Sequence, residues 1–407
     1  MRHEVFTRFS EALAEPLVDV SIVMPCLNEA QCLPACIANA KEALAIIALR
    51  SGLSGEIVIA DNGSTDGSQE IARSLGARVA PVERRGYGAA LIGGGMAAKG
   101  RYIVFGDADG SYDFREAAPR VERLVEGADL CMGSRFKGGI APGAMPWKNR
   151  YIGNPVLTGI LNLFFRPGIS DAHCGLRALT KETFDGLQLC GSGMEFASEM
   201  VIKAALQRRA IAEVPATLSP DLRERAPHLR PWRDGWRHLR YLLMLSPTWL
   251  FAVPAVAGAL AALVIFAGAI LHAFAPQSAP AFFGNYWLIG GSALAGASHL
   301  ALILAIAGHL YGIKAGYRRS GRRTAALARL LTLETMLVSG VALFLTGLVA
   351  LGVVAWSWSA RDFSATYSIL PAVLATLLVT LGVQNVFGGF LLAIIGGNEA
   401  DFLQEAS

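Results

Sequence analysis

The sequence predicts a two-part molecule: an α/β domain built on a largely parallel sheet, followed by an all-α bundle of four transmembrane helices. Three observations predict it. Residues 1 to 240 carry most of the acidic groups, whereas 246–396 hold four long apolar stretches with very few acids, an asymmetry behind the mean hydropathy of +0.43. Each stretch reaches the roughly 20 residues that a helix needs to cross a bilayer. In the first half, short β-branched runs alternate with helical patterns, as in sheets whose strands are joined by helical crossovers.

The elements follow in order. Val20–Met24 reads as the first strand, closed by Pro25 and the polar loop Cys26–Glu29, with a helical pattern on to Leu49. Glu56–Ala60 is the second, ending at Asp61; Asn62–Ser68 is a polar turn and Gln69–Leu75 a helix. A third strand begins near Arg78, Arg101–Phe105 is a fourth, Leu130–Gly133 a fifth, and the last lies near Glu213–Leu218. Ligands of such sheets bind beyond the carboxyl ends of the strands. Those ends carry Asn28 and Glu29, then Asp61, Asn62, Ser64 and Asp66, then Asp107, Asp109 and Asp113. Asp107 and Asp109 flank a small Ala108, so a turn can aim both carboxylates at one hard divalent cation. Carboxylates at strand ends also serve as helix caps, and it is the order and company of these that argues for a site.

The four apolar spans run Pro247–Leu271, Trp287–Tyr311, Leu330–Val354 and Ile369–Ile395. Lys314, Arg318, Arg319, Arg322, Arg323 and Arg329 crowd the second connection, while His272–Tyr286 has no Lys or Arg and the third connection has only Arg361. Cytoplasmic loops accumulate such residues, so the second connection, the N-terminal domain and the tail 397–407 are expected to face the cytosol of a bacterial-type inner membrane. His299, His309 and Glu334 are too few ionisable groups to suggest transport. Arg223–Tyr241, with six arginines and with Trp232 and Trp236 four apart, reads as an interfacial helix. The expected organisation is an N-terminal segment 1–18, a catalytic domain 19–222, an amphipathic juxtamembrane segment 223–245, the helices in 246–396, and the tail. The net charge of +4 is small and its basic residues adjoin apolar segments, which excludes a nucleic-acid partner in favour of a membrane surface. Six cysteines without a CxxC pair read as reduced thiols. Met1–Val18 lacks the apolar core of a secretory signal. Gly86–Gly95 (GYGAALIGGG) lacks the preceding strand and distant acid of a dinucleotide site.

PCLNE at 25–29, DNGSTDGS at 61–68, GDADGSYD at 106–113 and GSRF at 133–136 resemble, in order and spacing, the family 2 glycosyltransferases. DAHCGLRAL at 171–179 and the terminal helices are similar to the polyprenyl-phosphate glycosyltransferases, dolichyl-phosphate mannose and glucose synthases among them. The resemblance covers residue 20 to about 228 and implies a GT-A fold and inversion at the sugar carbon. Carried over, Pro25, Asn28, Glu29 and Asp61 line the nucleotide, beside Asn62, which stands where relatives often have a second Asp. Asp107 and Asp109 hold Mg²⁺ or Mn²⁺ on the diphosphate, with Ser111 where relatives often have Gln. Arg223 and Arg225 belong to a basic loop that closes over the diphosphate. On the acceptor side the resemblance assigns Arg135 and Arg150, with Asn154 sharing a phosphate oxygen and Arg177 as an alternative; Asp171, and Glu195 with Glu199 on one helical face, hold sugar hydroxyls or brace the site. His173 is read as a packing residue or a sugar contact.

The activity so implied is transfer of a hexose from UDP-glucose or GDP-mannose to a polyprenyl phosphate such as undecaprenyl phosphate, in cell-envelope synthesis. A phosphate monoester is mostly ionised near neutral pH, so its transfer needs a cationic cradle and no strong base. A lipid hydroxyl acceptor would need one, with Asp171 and Asp113 the candidates. A processive polysaccharide synthase would show Q-x-x-R-W, which RPWRDGWRH does not match, and a silent scaffold would not need Asp107 and Asp109. A homo-oligomer is compatible with the sequence.

Overall fold

The computed structural model describes residues 18–223, 231–275, 285–321, 330–364 and 368–397. The chain divides into two units, Met1–Leu242 and Leu243–Ser407. In the first, β1 (Val20–Cys26) is almost wholly buried, and β2 (Gly55–Asp61), β3 (Arg78–Pro81) and β4 (Tyr102–Phe105) lie parallel beside it in the order β3-β2-β1-β4. A strand covered on both faces is apolar along its length, and β1 is of that kind. Register sets Cys26 opposite Asp61 and Val23 opposite Phe105, so the loops after β1, β2 and β4 open at one edge.

The helices follow the sequence pattern. α1 (Leu33–Ser51) opens with a proline in its first turn and stops at Gly52, whose φ of 67° suits a residue without Cβ. α2 (Ser68–Ser74), α3 (Tyr87–Ala97) and α4 (Ala117–Val125) are the crossover helices of the first half.

The second half of the sheet departs from the expected parallel pattern. β5 (Leu130–Ser134) leads into a short α5 (Arg135–Gly138) and a two-residue β6 (Gly139–Ile140), and α6 (Asn154–Phe165) follows. β7 (Arg177–Thr180) then inserts antiparallel between β4 and β5, and β8 (Ile211–Leu218) pairs parallel with β5 and β6. Four residues are too few for a period to show, and Thr180 both ends β7 and caps α7 (Lys181–Leu187) by accepting from Thr183 N–H. α8 (Phe196–Leu206) and α9 (Pro231–Met244) complete the unit's helices.

The second unit holds four helices long and apolar enough to cross a membrane: α10 (Val253–Phe274), α11 (Asn285–Lys314), α12 (Leu333–Ser359) and α13 (Leu370–Gly396). Their outward Val, Leu and Ile side chains are widely exposed, as suits a lipid surround. Without a hydrophobic drive between helices in lipid, close backbone contact through small residues holds the bundle together. At Gly382 of α13 a Cβ would lie 2.6 Å from Phe344 N and 2.7 Å from Gly340 O of α12. Gly382→Val therefore forces α12 and α13 apart, and a loss of about 1–3 kcal/mol is expected in unfolding of the detergent-solubilised protein; the same change at Gly290, with open space around it, serves as the neutral control.

Candidate active site

The loops after β1 and β2 are stitched to each other before they meet anything else. Asn28 adopts a left-handed φ of 58°, its N–H donates to Ser64 Oγ at 2.9 Å, and its Oδ1 accepts from Thr65 N–H at 2.8 Å. Glu29 N–H donates to Ser68 Oγ, and Asp66 accepts from Ala30 N–H. Asp61 is buried, its carboxylate filled by Gly63 and Ser64 N–H and by Gln69 Nε2 at 2.8 Å. Asn62 pins the stretch after β3, donating to Val82 O and Arg84 O and accepting from Gly86 N–H.

Beyond this edge lies a cavity of about 450 Å³. Pro25, Glu29, Asn62, Asp107 and Asp109 line it, joined by Arg85, Tyr87, Asp221, Arg223, Arg233 and Arg237. Asn28 and Asp61 stand behind this wall and shape the loops that form it. Arg223 forks onto Glu29, with Nε 3.0 Å from Oε2 and Nη2 2.9 Å from Oε1, and its Nη1 lies 3.4 Å from Asp109 Oδ2. Arg225 lies outside the described residues.

The carboxylate pair is held from behind. Asp107 Oδ1 accepts from Tyr87 OH at 2.8 Å, and Asp109 Oδ1 from Ser111 Oγ at 2.6 Å and Ser111 N–H at 3.0 Å. Burial, and then the neighbouring Asp109 charge, push the Asp107 carboxyl up to about 6. A divalent cation fits here: it would find two acidic oxygen donors whose mutual repulsion the protein leaves largely uncompensated. Among the described residues no third carboxylate, His or Cys joins them, so water and phosphate oxygens would complete the shell.

A second cavity, of about 300 Å³, shares Asp107, Asp109 and Asp221 with the first. Its other walls include Arg135, Met145, Asn149, Asn154, His173 and His238. Arg135 is buried in a two-pronged pair with Asp171: Nε to Oδ2 at 2.7 Å and Nη2 to Oδ1 at 2.8 Å. Burial alone would raise the Asp171 carboxyl, but the Arg135 fork outweighs it and holds the group below the usual carboxylate range. Asn154 lines the cavity and donates to Met145 Sδ. Arg150 lies in neither wall; its guanidinium stacks on the exposed Tyr151, 5.4 Å from the ring centroid. Arg177 is buried away from both cavities, donating to Ala197 O and Cys174 O.

Sequence reasoning missed Tyr87, Arg85 and Asp221, and set Arg233 and Arg237 on a membrane surface. The glycine-rich run that hides Tyr87 opens α3 at the edge of the cavity, and a lone tyrosine or arginine in a loop carries no spacing signal. Glu199 lies in neither wall; it is buried, pairs with Lys203 Nζ at 2.8 Å and accepts from Gly191 N–H at 2.7 Å, which braces the loop before α8.

Residues 21–187 match the model of glycosyl transferase family 2, and 306–396 match that of the family 2 C-terminal transmembrane region. The chain is 37% identical over 384 residues to the low-salt glycan biosynthesis hexosyltransferase Agl6 of Haloferax volcanii, covering 93% of this chain and 89% of that one. It is 31% identical over 219 residues to glycosyltransferase AglJ of the same organism, covering 53% and 68%. It is 27% identical over 232 residues to the dolichol-phosphate mannosyltransferase of Pyrococcus furiosus, covering 56% and 63%. Among solved structures, glucosyl-3-phosphoglycerate synthase of Mycobacterium tuberculosis with Mn²⁺, UDP and glucosyl-3-phosphoglycerate aligns with a TM-score of 0.42 and 24% identity, covering 56% of this chain and 78% of that one.

Two measurements probe this geometry. The folded protein keeps Asp107 protonated up to about pH 6, whereas an unfolded chain releases that proton near 4, so ionisation erodes stability as pH rises through the window. A bound dication removes that cost, so the rise in Tm produced by Mn²⁺ is expected to be larger at about pH 7.5 than at about pH 5; equal shifts would place the ion elsewhere. Asp171→Asn leaves Arg135 buried without its counter-charge, and a loss of roughly 3–5 kcal/mol is expected in denaturant unfolding.

Proposed function

Because the chain belongs to glycosyltransferase family 2, we propose that it transfers a hexose from a nucleotide sugar, UDP-glucose or GDP-mannose, to a polyprenyl phosphate such as undecaprenyl phosphate. The observation that carries this reading is that one carboxylate pair, Asp107 and Asp109, stands in the walls of two cavities. The first suits a nucleoside diphosphate, with Pro25, Glu29 and Asn62 at one end and Arg85, Arg223, Arg233 and Arg237 for its charge. The second suits a phosphate carried on a lipid. The segment that supplies Asn149, Asn154 and Leu157 to its wall exposes Trp147, Tyr151, Ile152 and Val156 on its outer side, next to Lys148 and Arg150. Aromatic and basic side chains interleaved in this way fit the headgroup layer of a membrane. The hexosyl and dolichol-phosphate specificities in the relatives' names point the same way.

In the reaction a phosphate oxygen of the acceptor attacks the anomeric carbon from the second cavity. A carbon–oxygen bond forms on one face as the bond to the nucleoside diphosphate breaks on the other, with inversion. Mg²⁺ or Mn²⁺, held by Asp107 and Asp109, would neutralise the charge that gathers on the departing diphosphate. Arg223, already beside Asp109, moves from carboxylate to diphosphate partners in that role. No proton has to be removed from the acceptor.

A hydroxyl acceptor fits less well, because neither candidate base is available. Asp171 is locked onto Arg135, and the side-chain bonds of Arg115 hold the Asp113 carboxyl below its usual range. The basic cluster that begins with Lys314 at the end of α11 and continues with Arg318 and Arg319 supports a cytosolic catalytic domain on a bacterial-type inner membrane. Detergent-solubilised protein with undecaprenyl phosphate, Mn²⁺ or Mg²⁺ and each nucleotide sugar should yield a hexosyl lipid monophosphate by mass spectrometry. Asp109→Ala should lower its rate by about 10²–10³. Product on a prenyl alcohol but not on the phosphate would reject the reading.

A further inference from the structure

His173, in the loop before β7, and His238, on α9, meet edge to face with ring centroids 4.7 Å apart. Ser198 of α8 stands between them, fully buried, its hydroxyl 2.8 Å from His238 Nδ1 and 3.3 Å from His173 Nε2. Three separate elements thus deliver this cluster to the second cavity, which both imidazoles line together with Asp107, Asp109 and Arg135. Neither imidazole has a part in the chemistry derived above.

The hydroxyl has a single hydrogen, so the two ring nitrogens that face it cannot both accept from it. If Ser198 donates to His238, His173 carries its hydrogen on Nε2 and Nδ1 is a bare acceptor. If His238 Nδ1–H donates to Ser198 and Ser198 donates to His173 Nε2, then His173 Nδ1 carries the hydrogen. In either case His173 Nδ1 is buried and has no hydrogen-bond partner among the described residues. A buried polar atom kept without a partner calls for one supplied from outside the chain. Burial, and then His238, hold the His173 imidazole well below its usual range, so it meets a ligand as a neutral donor or acceptor.

The ligand's chemistry follows from what else lines the cavity. Arg135 is the one guanidinium in its described wall, and the Asp171 carboxylate bonded to its Nε and Nη2 already balances its charge. Asp221 in the same wall repels an anion, as do Asp107 and Asp109 wherever no cation neutralises them. A phosphate entering here therefore gains from a further, neutral donor that has no partner in the described chain. We propose that His173 Nδ1–H donates to the phosphate of the lipid acceptor, with Ser198 and His238 as positioning residues that fix its tautomer. This inference rests on the lipid-phosphate reading above and names one contact within it.

Side-chain geometry separates the two ring nitrogens, because an asparagine amide nitrogen sits at the δ position and a glutamine one at the ε position. Binding of farnesyl phosphate to the full chain in detergent, with UDP and Mn²⁺ present, is measured by calorimetry for wild type, His173→Asn, His173→Gln and His173→Leu. His173→Asn is expected to stay within about threefold of wild type, while His173→Gln and His173→Leu weaken by about tenfold, which is about 1.4 kcal/mol. UDP affinity, which reports an intact fold, should be unchanged in all three. Inorganic phosphate that competes, with farnesol that does not, would assign the contact to the headgroup. Equal affinities across the series, or retention by His173→Gln and loss by His173→Asn, would overturn the assignment. Hexosyl transfer to lipid phosphate with every variant at wild-type KM would overturn it alone; farnesyl phosphate binding of the expected pattern without transfer would uphold it and reject the proposed reaction.

Discussion

Two carboxylates at the end of one strand repel each other, and much of the first unit is arranged around that repulsion. Asp107 is braced by the Tyr87 hydroxyl and Asp109 by Ser111, which fixes where the charges sit without cancelling them. The nearest cation, Arg223, is shared with Glu29 and touches only Asp109. The pair therefore keeps most of its negative charge exposed to the cavity. The price in stability is visible in the raised Asp107 carboxyl.

The other strong charge pair has the opposite character. Arg135 and Asp171 satisfy each other in two parallel bonds, and Asp171 also accepts from the Arg135 and His173 N–H groups. Such a pair fixes the loop before β7 against the end of β5, and it presents the second cavity with a guanidinium whose charge is already balanced. The wall opposite comes from the Met145–Leu157 stretch, whose outer side is aromatic and basic.

The sheet explains how so few residues assemble this. β1 and β2 end level, with Cys26 opposite Asp61, and β4 ends at Phe105 opposite Val23, so Glu29, Asn62 and Asp107, far apart in sequence, share one edge. The antiparallel β7 carries the Asp171–Gly175 loop back to that edge between β4 and β5. There Tyr112 OH receives Gly175 N–H at 2.9 Å, tying the loop to the turn that follows the carboxylate pair. In the second unit packing is of another kind: glycines at Gly340, Gly347 and Gly382 let α12 and α13 approach to backbone contact.

The sequence by itself determined what periodicity and local chemistry encode: the parallel strands β1 to β5, the four spanning helices, and the loops that bear Glu29, Asn62, Asp107 and Asp109. These are legible because a buried strand is continuously apolar and a strand end that binds a ligand is abruptly polar. Only the tertiary structure decided which polar groups face a cavity and which support one. Asn28, Asp61, Arg150, Asp171 and Arg177 have the residue types of a site, but their partners are backbone amides, a side-chain amide, backbone carbonyls, an aromatic ring or a buried counter-charge. Tyr87, Ser198 and His238 have no local pattern at all, and they reach the site because α3, α8 and α9 pack there. A side chain's neighbours in space come from long-range packing, which no spacing along the chain records.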